Sequence, residues 1–190
     1  VLFDPSSLSV FYKPFLNSLI TSLGACLVAL LFGGVFSWLI TRTNIRWKKV
    51  LSSLFIFPYI MPSWTIALAW YNVFKNSVVG GVPGTFQALT GIEPPNWFAY
   101  GAFPIALVTG LHYAPFAYIM IGGVLRNMDA NLEEAAMMLK TSRNRIVRKI
   151  TIPMILPAIL STFLLVFSSA MSSFAVPKSL GLPVTYQVLT

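Results

Sequence analysis

The run from Pro14 to Ile40 contains 27 residues without a single charged side chain. An α-helix needs about 20 apolar residues to cross the hydrocarbon core of a bilayer. Further apolar runs begin near residues 51, 100 and 154, and only 9% of the whole chain is charged. A soluble domain carries about 25% charged residues, so this chain lacks the side chains for a fully hydrated surface. The sequence therefore predicts an all-α, polytopic transmembrane helical bundle.

Four spans are predicted, at about residues 14–40, 51–74, 100–125 and 154–174. The chain starts at Val1 rather than at a methionine, and its last residues contain Pro and Gly. We therefore expect residues 1–190 to be part of a longer protein. The segment after Phe174 is predicted to be a loop that leads to a further span.

The Lys and Arg residues are distributed unevenly between the two sides of the predicted bundle. Ten lie in the 41–50 and 126–149 segments, whereas Lys13, Lys75 and Lys178 lie on the opposite side. Loops rich in Lys and Arg stay in the cytoplasm. This rule places the charged insert inside the cell and the 75–99 loop outside. The net charge of +8 is then explained by basic residues that contact membrane lipid beside the spans. No nucleic-acid partner is expected.

Few side chains suit catalysis or metal binding. The chain has one cysteine, Cys26, and one histidine, His112, and no Asp or Glu lies inside a predicted span. A single cysteine excludes an internal disulfide and a cysteine-based metal cage. Acid–base and metal-assisted catalysis both need more such groups. An integral membrane enzyme is therefore the least favoured class, and no resident cofactor or metal is expected.

Three residues within the spans are candidates for a transport pathway. Pro58 and Pro62 each remove a backbone donor and tend to kink the second span, either beside a pathway or for packing alone. His112 is an ionisable group at membrane depth, which makes it a functional candidate. A neutral imidazole bonded to a neighbouring helix is the favoured interpretation. The kinks and His112 also suit a secondary transporter or channel that is not coupled to ATP.

The segment Arg126–Pro157 is polar although apolar spans flank it, and it holds nine of the eighteen charged residues. Its LEEAAMMLK stretch consists of strong helix formers, and a second, basic helical piece follows near residue 142. Four residues of the first piece share one face, which its two alanines keep shallow: Leu132, Ala135, Ala136 and Leu139. We interpret the insert as a docking site for a partner. An amphipathic helix lying on anionic lipid is the alternative.

A family resemblance favours the docking interpretation. The residues that carry it are Glu134-Ala135-Ala136, followed by Leu139, Ile150, Pro153 and Pro157. They resemble the EAA loop of the inner-membrane permeases of binding-protein-dependent ABC importers. Lys140 stands where that family usually has a glycine. A finer resemblance, in FPYIMPSWTIALAWYNVF and FAVPKSLGLPVTYQVLT, is to permeases of the ferric-iron class and its thiamine and phosphonate relatives.

The resemblance implies a permease subunit of a bacterial inner-membrane ABC importer, with ferric iron as the candidate substrate. Its core would have five or more helices and a cytoplasmic two-helix coupling loop over residues 126–153. ATP would be hydrolysed on a separate cytoplasmic subunit, because this chain has no GxxxxGK[ST] phosphate loop. The other implied partners are an extracytoplasmic solute-binding protein and a second permease half or copy. The implied ATPase-coupling residues are Glu133, Glu134, Ala135, Ala136, Leu139 and Lys140.

Overall fold

The computed structural model describes residues 8–128, 138, 140 and 142–189, and within these ranges the chain is helical without a β-strand. A π-helical turn, Leu8–Tyr12, leads into α1. The helices are α1 (Lys13–Arg42), α2 (Lys48–Ile60), α3 (Ser63–Phe74), α4 (Thr85–Thr90), α5 (Asn96–Ala99), α6 (Ala102–Asn127), α7 (Arg143–Ile146), α8 (Ile152–Met171) and α9 (Ala175–Gly181). A second π-helical turn, Val147–Thr151, joins α7 to α8, and a 3-10 turn, Leu182–Val184, follows α9.

Three helical stretches of the described chain are long and apolar enough to cross a bilayer: Val10–Arg42, Asn96–Asn127 and Asn144–Met171. The pair α2 and α3 counts as a fourth span if taken together, but the two helices meet at 94°. The sequence predicts a kinked helix here, whereas the structure ends one helix at Ile60 and starts another at Ser63. Pro62 has no N–H to continue the hydrogen-bond ladder, so the span is broken rather than bent.

Helices α1 and α6 pack side by side and run in the same direction. Gly33 of α1 faces Ala114 of α6. One turn further along both helices, the Ser37 hydroxyl donates to the Tyr118 carbonyl at 2.7 Å. Small residues allow such close approach between helices in a membrane. Because the two helices are parallel, residues 43–101 must carry the chain back across the bundle, and the broken span does so.

Helix α8 runs antiparallel to α1 and α6. Near its start, Ile155 is buried against Leu125 and Met128 at the end of α6. Further along, the Phe163 carbonyl accepts a weak hydrogen bond from the Cys26 thiol at 3.6 Å. The end of α1, the end of α6 and the start of α8 therefore meet at one end of the bundle. The basic 41–50 segment adjoins this same end.

The second helical piece predicted for the insert continues without a break into α8. In the π-helical turn between them, the Ile152 N–H donates to the Val147 carbonyl, and Pro153 follows. A proline ring crowds the carbonyl four residues earlier, and a wider π turn relieves that crowding. The same arrangement recurs at the start of the chain, where Leu8–Tyr12 precedes Pro14.

The residues after α8 form a helix and a 3-10 turn, whereas the sequence predicts a Pro/Gly loop. Val176 and Leu180 of α9 are fully buried in a cluster with α3 and α6 residues. The Gly101 N–H, just before α6, donates to the Leu180 carbonyl at 2.9 Å. Burial of this i, i+4 pair stabilises a short helix that local propensity would leave marginal.

The C-terminal residues then return to the first span. The Asn17 side chain donates to the Gln187 carbonyl at 2.8 Å. The Leu189 N–H donates to the Ser18 hydroxyl at 2.7 Å. These bonds close the end of the bundle opposite the charged insert.

Candidate functional site

The break between α2 and α3 lies against the middle of α6. His112 of α6 is 8% exposed, and its Nδ1 lies 3.0 Å from the Pro58 carbonyl oxygen. A carbonyl can only accept, so Nδ1 carries the proton. Pro62, four residues after Pro58, has no N–H to offer that carbonyl. The structure thus brings the three pathway candidates together. The His112 ring supplies the N–H donor that residue 62 would supply if it were not a proline.

Directed contacts rather than an apolar core attach α2 to the bundle, since none of its residues is buried. The Tyr118 hydroxyl donates to the Ser52 hydroxyl at 2.9 Å. Phe55 stacks on Phe36 of α1 with ring centroids 4.0 Å apart. An element with few buried apolar contacts is among the first to move in a folded protein. Helix α2 is therefore the most weakly anchored part of the candidate pathway.

Sequence reasoning did not identify Ser52 and Tyr118. The two residues lie 66 positions apart on different helices. Both are common residue types in membrane helices, and no spacing pattern connects them. Only the packing of α2 against α6 reveals the pair.

Of the predicted coupling residues, Lys140 lies in the described part of the chain. The others, Glu133, Glu134, Ala135, Ala136 and Leu139, lie outside the described residues, and their role stays a prediction. Lys140 is exposed and adopts a φ of 55°, in the left-handed region. Glycine adopts this conformation freely, whereas a side chain costs about 1–2 kcal/mol. The backbone at this position thus has the conformation that favours the family's usual glycine.

The Lys140→Gly variant is expected to gain about 1 kcal/mol of stability, because glycine removes the strain of a left-handed Cβ. Lys140→Ala removes the same charge but keeps the Cβ, so it should gain nothing. Thermal unfolding of the purified full-length protein in detergent compares the two variants. Equal Tm values would contradict a left-handed backbone at this position.

The described remainder of the insert presents a basic outer face. The Ser142 carbonyl accepts hydrogen bonds from the Arg145 and Ile146 N–H groups at 2.9 and 3.1 Å and so starts α7. Ile146 is 4% exposed, whereas Arg145, Arg148 and Lys149 are exposed. This segment is therefore anchored by one apolar face and turns its cations outward.

No group of three or more His, Cys, Asp or Glu side chains that could hold a metal ion occurs among the described residues. Nine polar residues are buried among those described, and seven of them are Ser or Thr. The Thr109 and Thr162 hydroxyls are buried without a hydrogen-bond partner. A pathway through this part of the chain would therefore meet hydroxyl and backbone groups rather than a metal-binding cluster.

Comparison with known proteins identifies the family. Residues 29–189 match the model of the family described as binding-protein-dependent transport system inner membrane component. The ferric transport system permease protein FbpB of Actinobacillus pleuropneumoniae is 28% identical over 165 residues, which cover 87% of this chain and 24% of that protein. A putative ferric transport system permease protein of Haemophilus influenzae is also 28% identical, covering 87% of this chain and 26% of its own length.

A second group of relatives has a different named cargo. The sulfate transport system permease protein CysT of Salmonella typhimurium is 28% identical over 154 residues, which cover 79% of this chain and 53% of that protein. The chain thus spans about a quarter of the length of the ferric relatives and about half of this sulfate relative.

The fold is shared with a solved transporter, described as the crystal structure of an amino acid ABC transporter with histidines. The TM-score is 0.57 at 18% sequence identity, over 87% of this chain and 71% of that one. This likeness confirms the predicted all-α membrane bundle, and the family confirms a multi-pass inner-membrane protein. Because the family model matches residues 29–189, the chain belongs to the binding-protein-dependent transport system inner membrane component family, the permease family that its charged insert resembles.

Proposed function

We propose that this chain forms part of the transmembrane permease subunit of an ABC importer, which moves a solute delivered by an extracytoplasmic binding protein. The match to the permease family over residues 29–189 carries the proposal. ATP is bound and hydrolysed on a separate cytoplasmic subunit that docks on the 126–153 loop. A second permease half or copy completes the pathway.

The charge distribution supports a cytoplasmic position for the docking loop. Arg42 lies beside Met128, with its guanidinium 3.8 Å from the Met128 sulfur, so the 41–50 segment and the insert meet at one end of the bundle. These two segments hold ten of the thirteen Lys and Arg residues. The positive-inside rule assigns such an end to the cytoplasm.

The continuity of α7 with α8 supports direct mechanical coupling. The stretch Asn144–Met171 has 28 residues, and at 1.5 Å per residue it is about 42 Å long. It exceeds the roughly 30 Å hydrocarbon core, so its first turns project beyond the membrane. Movement of a docked ATPase is thereby passed along one helix to the span that packs against α1 and α6.

The broken span supplies the movable part of the pathway in this proposal. Helix α2 buries none of its residues, and the bond from His112 to the Pro58 carbonyl holds its end against α6. Rocking of α8 and α6 would shift this contact and reposition the break. Pro58, Pro62 and His112 therefore line the proposed pathway as a hinge rather than as a binding cluster.

Ferric iron is the proposed cargo, because the two ferric relatives align with 87% of the chain. The described residues offer no metal-binding group, so the binding protein would select the cargo. Uptake of radiolabelled ferric iron and of sulfate, measured in cells with and without the full-length gene, separates the two classes. Loss of sulfate uptake alone would overturn the iron assignment.

The Glu134→Lys variant tests the coupling assignment. It reverses a charge in the predicted first turn of the docking helix, where the helix dipole favours an anion. Affinity purification of the full-length complex is expected to recover at least about tenfold less ATPase subunit, equivalent to about 1.4 kcal/mol of lost affinity.

The matched control is Glu93→Lys, the same charge reversal at an exposed residue of the 75–101 segment, at the opposite end of the bundle. It should leave recovery of the ATPase subunit unchanged. Normal assembly and transport by the Glu134→Lys protein would overturn the docking role of this loop.

A further inference from the structure

The segment between α3 and α6, residues 75–101, is named the outer loop, and it is organised around a buried polar side chain. Asn76 is 4% exposed. Its amide nitrogen donates to the Pro94 carbonyl at 2.8 Å and to the Asn96 side-chain oxygen at 2.7 Å. Its own side-chain oxygen accepts from the Val78 N–H at 3.2 Å. Asn76 thus links three parts of the loop through its side chain.

The backbone of the outer loop is also bonded internally. The Gly84 N–H donates to the Lys75 carbonyl at 3.1 Å, and the Gly91 N–H donates to the Gln87 carbonyl at 2.9 Å. A Cβ on Gly84 would come within 2.6 Å of the Lys75 oxygen, so only glycine allows this approach. Internal bonding of this kind is what backbone needs where water is scarce.

Much of the outward side of the loop is apolar. Six large apolar side chains are between 41% and 81% exposed: Val78, Val79, Val82, Leu89, Ile92 and Trp97. Between Asn76 and Tyr100 the sequence has one charged residue, Glu93. Soluble proteins rarely expose apolar patches of this kind without a partner. The loop thus buries the polar side chain of Asn76 while it leaves these six apolar side chains exposed.

The single carboxylate is already bonded within the loop. Glu93 Oε1 accepts from the Ser77 N–H at 2.8 Å. Hydrogen bonds from the Ser77 hydroxyl and backbone N–H lower the pKa of the Glu93 carboxyl below its ordinary value. Glu93 is exposed, so its ionised group marks the side of the loop that touches water.

The apolar surface is continuous with a membrane helix. Trp97 packs edge-on against Phe103, with ring centroids 5.3 Å apart. Phe103 is in the first turn of α6 and is 43% exposed. Behind them, Phe98 packs on Phe74 and Trp70, at 5.0 and 5.2 Å. An exposed tryptophan at the end of a span is typical of the membrane–water interface.

We propose that the outer loop lies in the outer leaflet of the bilayer, with Val82, Leu89 and Trp97 in contact with lipid at the boundary between headgroups and acyl chains. Internal hydrogen bonds lower the penalty for taking its backbone out of water, and the exposed apolar side chains favour the transfer. The apolar surface continues from Trp97 onto Phe103 of the membrane helix α6, which favours lipid over a soluble protein as its partner.

Nitroxide labels test this placement in the full-length permease with its second permease half or copy, reconstituted in phosphatidylethanolamine–phosphatidylglycerol vesicles without the ATPase subunit, which would cover the 126–153 loop. Labels are attached at Leu89→Cys or Val82→Cys after Cys26, which is 1% exposed, is replaced by alanine. Power saturation then compares accessibility to oxygen, which enters lipid, with accessibility to a water-soluble nickel chelate. Leu27 of α1 and Met138 of the insert, 64% and 86% exposed, are the lipid and water references.

For both loop labels, the ratio of oxygen accessibility to chelate accessibility is expected to lie closer to the value at Leu27 than to the value at Met138. Values equal to that of Met138 would overturn the proposal. Chelate accessibility that disappears only when binding protein is added would also overturn it and would identify a protein-docking surface. Two labelled positions keep the test decisive if one variant assembles poorly, and neither outcome depends on the identity of the cargo.

Discussion

Gly33→Ala is expected to destabilise the α1–α6 pair by about 2–3 kcal/mol, the upper part of the range for overpacking a tight interface. A Cβ at this position would lie 2.4 Å from the Ala114 carbonyl oxygen and 2.5 Å from the Ala117 Cβ. Both atoms belong to the rigid frame of α6, so no rotamer change relieves the clash. The helices would have to separate along their length.

Separation of the two helices would disrupt further contacts of the seam. Gly110 of α6 packs against Val28 of α1, where a Cβ would lie 2.5 Å from the Val28 Cβ. The Ser37 hydroxyl bonds to the Tyr118 carbonyl at 2.7 Å across the same seam. Residual strain at Gly33 therefore spreads to contacts on either side of it.

Gly34→Ala is the matched control, one residue away on the same helix. A Cβ there would meet the Ile121 Cδ1 at 3.7 Å, an ordinary contact. Both substitutions gain the same helix propensity, up to about 1 kcal/mol. Unfolding of the two full-length variants by SDS titration should separate them by about 2 kcal/mol or more. Equal stability would contradict the close parallel packing of α1 on α6.

His112→Phe is expected to be the second damaging change. It keeps an aromatic ring beside Tyr59 and Tyr113, whose ring centroids lie 5.9 and 4.9 Å from that of His112. It removes the donor to the Pro58 carbonyl, which Pro62 cannot replace. This bond is part-buried, and a polar group that loses its partner away from water costs up to about 1–3 kcal/mol, which corresponds to up to about a 5- to 150-fold change in the equilibrium of the hinge.

His112→Asn distinguishes hydrogen bonding from ring packing. The asparagine Nδ2 occupies nearly the position of the histidine Nδ1 and can donate to the same carbonyl. Transport by full-length His112→Asn should therefore exceed that by His112→Phe, although the asparagine fills less space. If the two variants transport equally poorly, the bond to Pro58 is not what His112 contributes.

Tyr118→Phe provides a comparison at the other attachment of α2. It removes the hydroxyl that donates to Ser52 at 2.9 Å. The Ser52 hydroxyl still donates to the Lys48 carbonyl at 2.8 Å, so no donor is stranded. The expected loss is about 1 kcal/mol or less. The free energies of unfolding of Tyr118→Phe and His112→Phe, measured at equal amounts of protein in the membrane, give the comparison.

Pattern alone was sufficient for the membrane class and for the family. A long uncharged run such as Pro14–Ile40 is expected to form a helix in lipid, because a helix satisfies each backbone hydrogen bond within the segment. The described helix covers Lys13–Arg42, within two residues of the predicted span at each end. The docking role of Glu134 and its neighbours stays a prediction, since those residues lie outside the described ones.

Local sequence was less informative where two signals competed. Pro58 and Pro62 both indicate a disturbed helix, but Pro58 lies inside α2 whereas the chain breaks at Pro62. The residues after Phe174 contain prolines and glycines typical of a loop, yet Val176 and Leu180 are fully buried in a helix. At the break, the His112 ring of α6 bonds to the carbonyl for which Pro62 has no donor, and after Phe174 burial against α3 and α6 stabilises the helix.

The sequence by itself determined that the chain is a bundle of membrane helices, with its basic segments gathered at one end and a family-specific insert between two spans. These properties depend on runs and spacings within a single segment. Only the tertiary structure decided that α1 and α6 are parallel, that His112 bonds to Pro58, and that the outer loop turns its apolar side chains outward. Such features depend on contacts between distant residues, 54 positions apart for His112 and Pro58, and no local periodicity specifies which distant group a buried donor will meet.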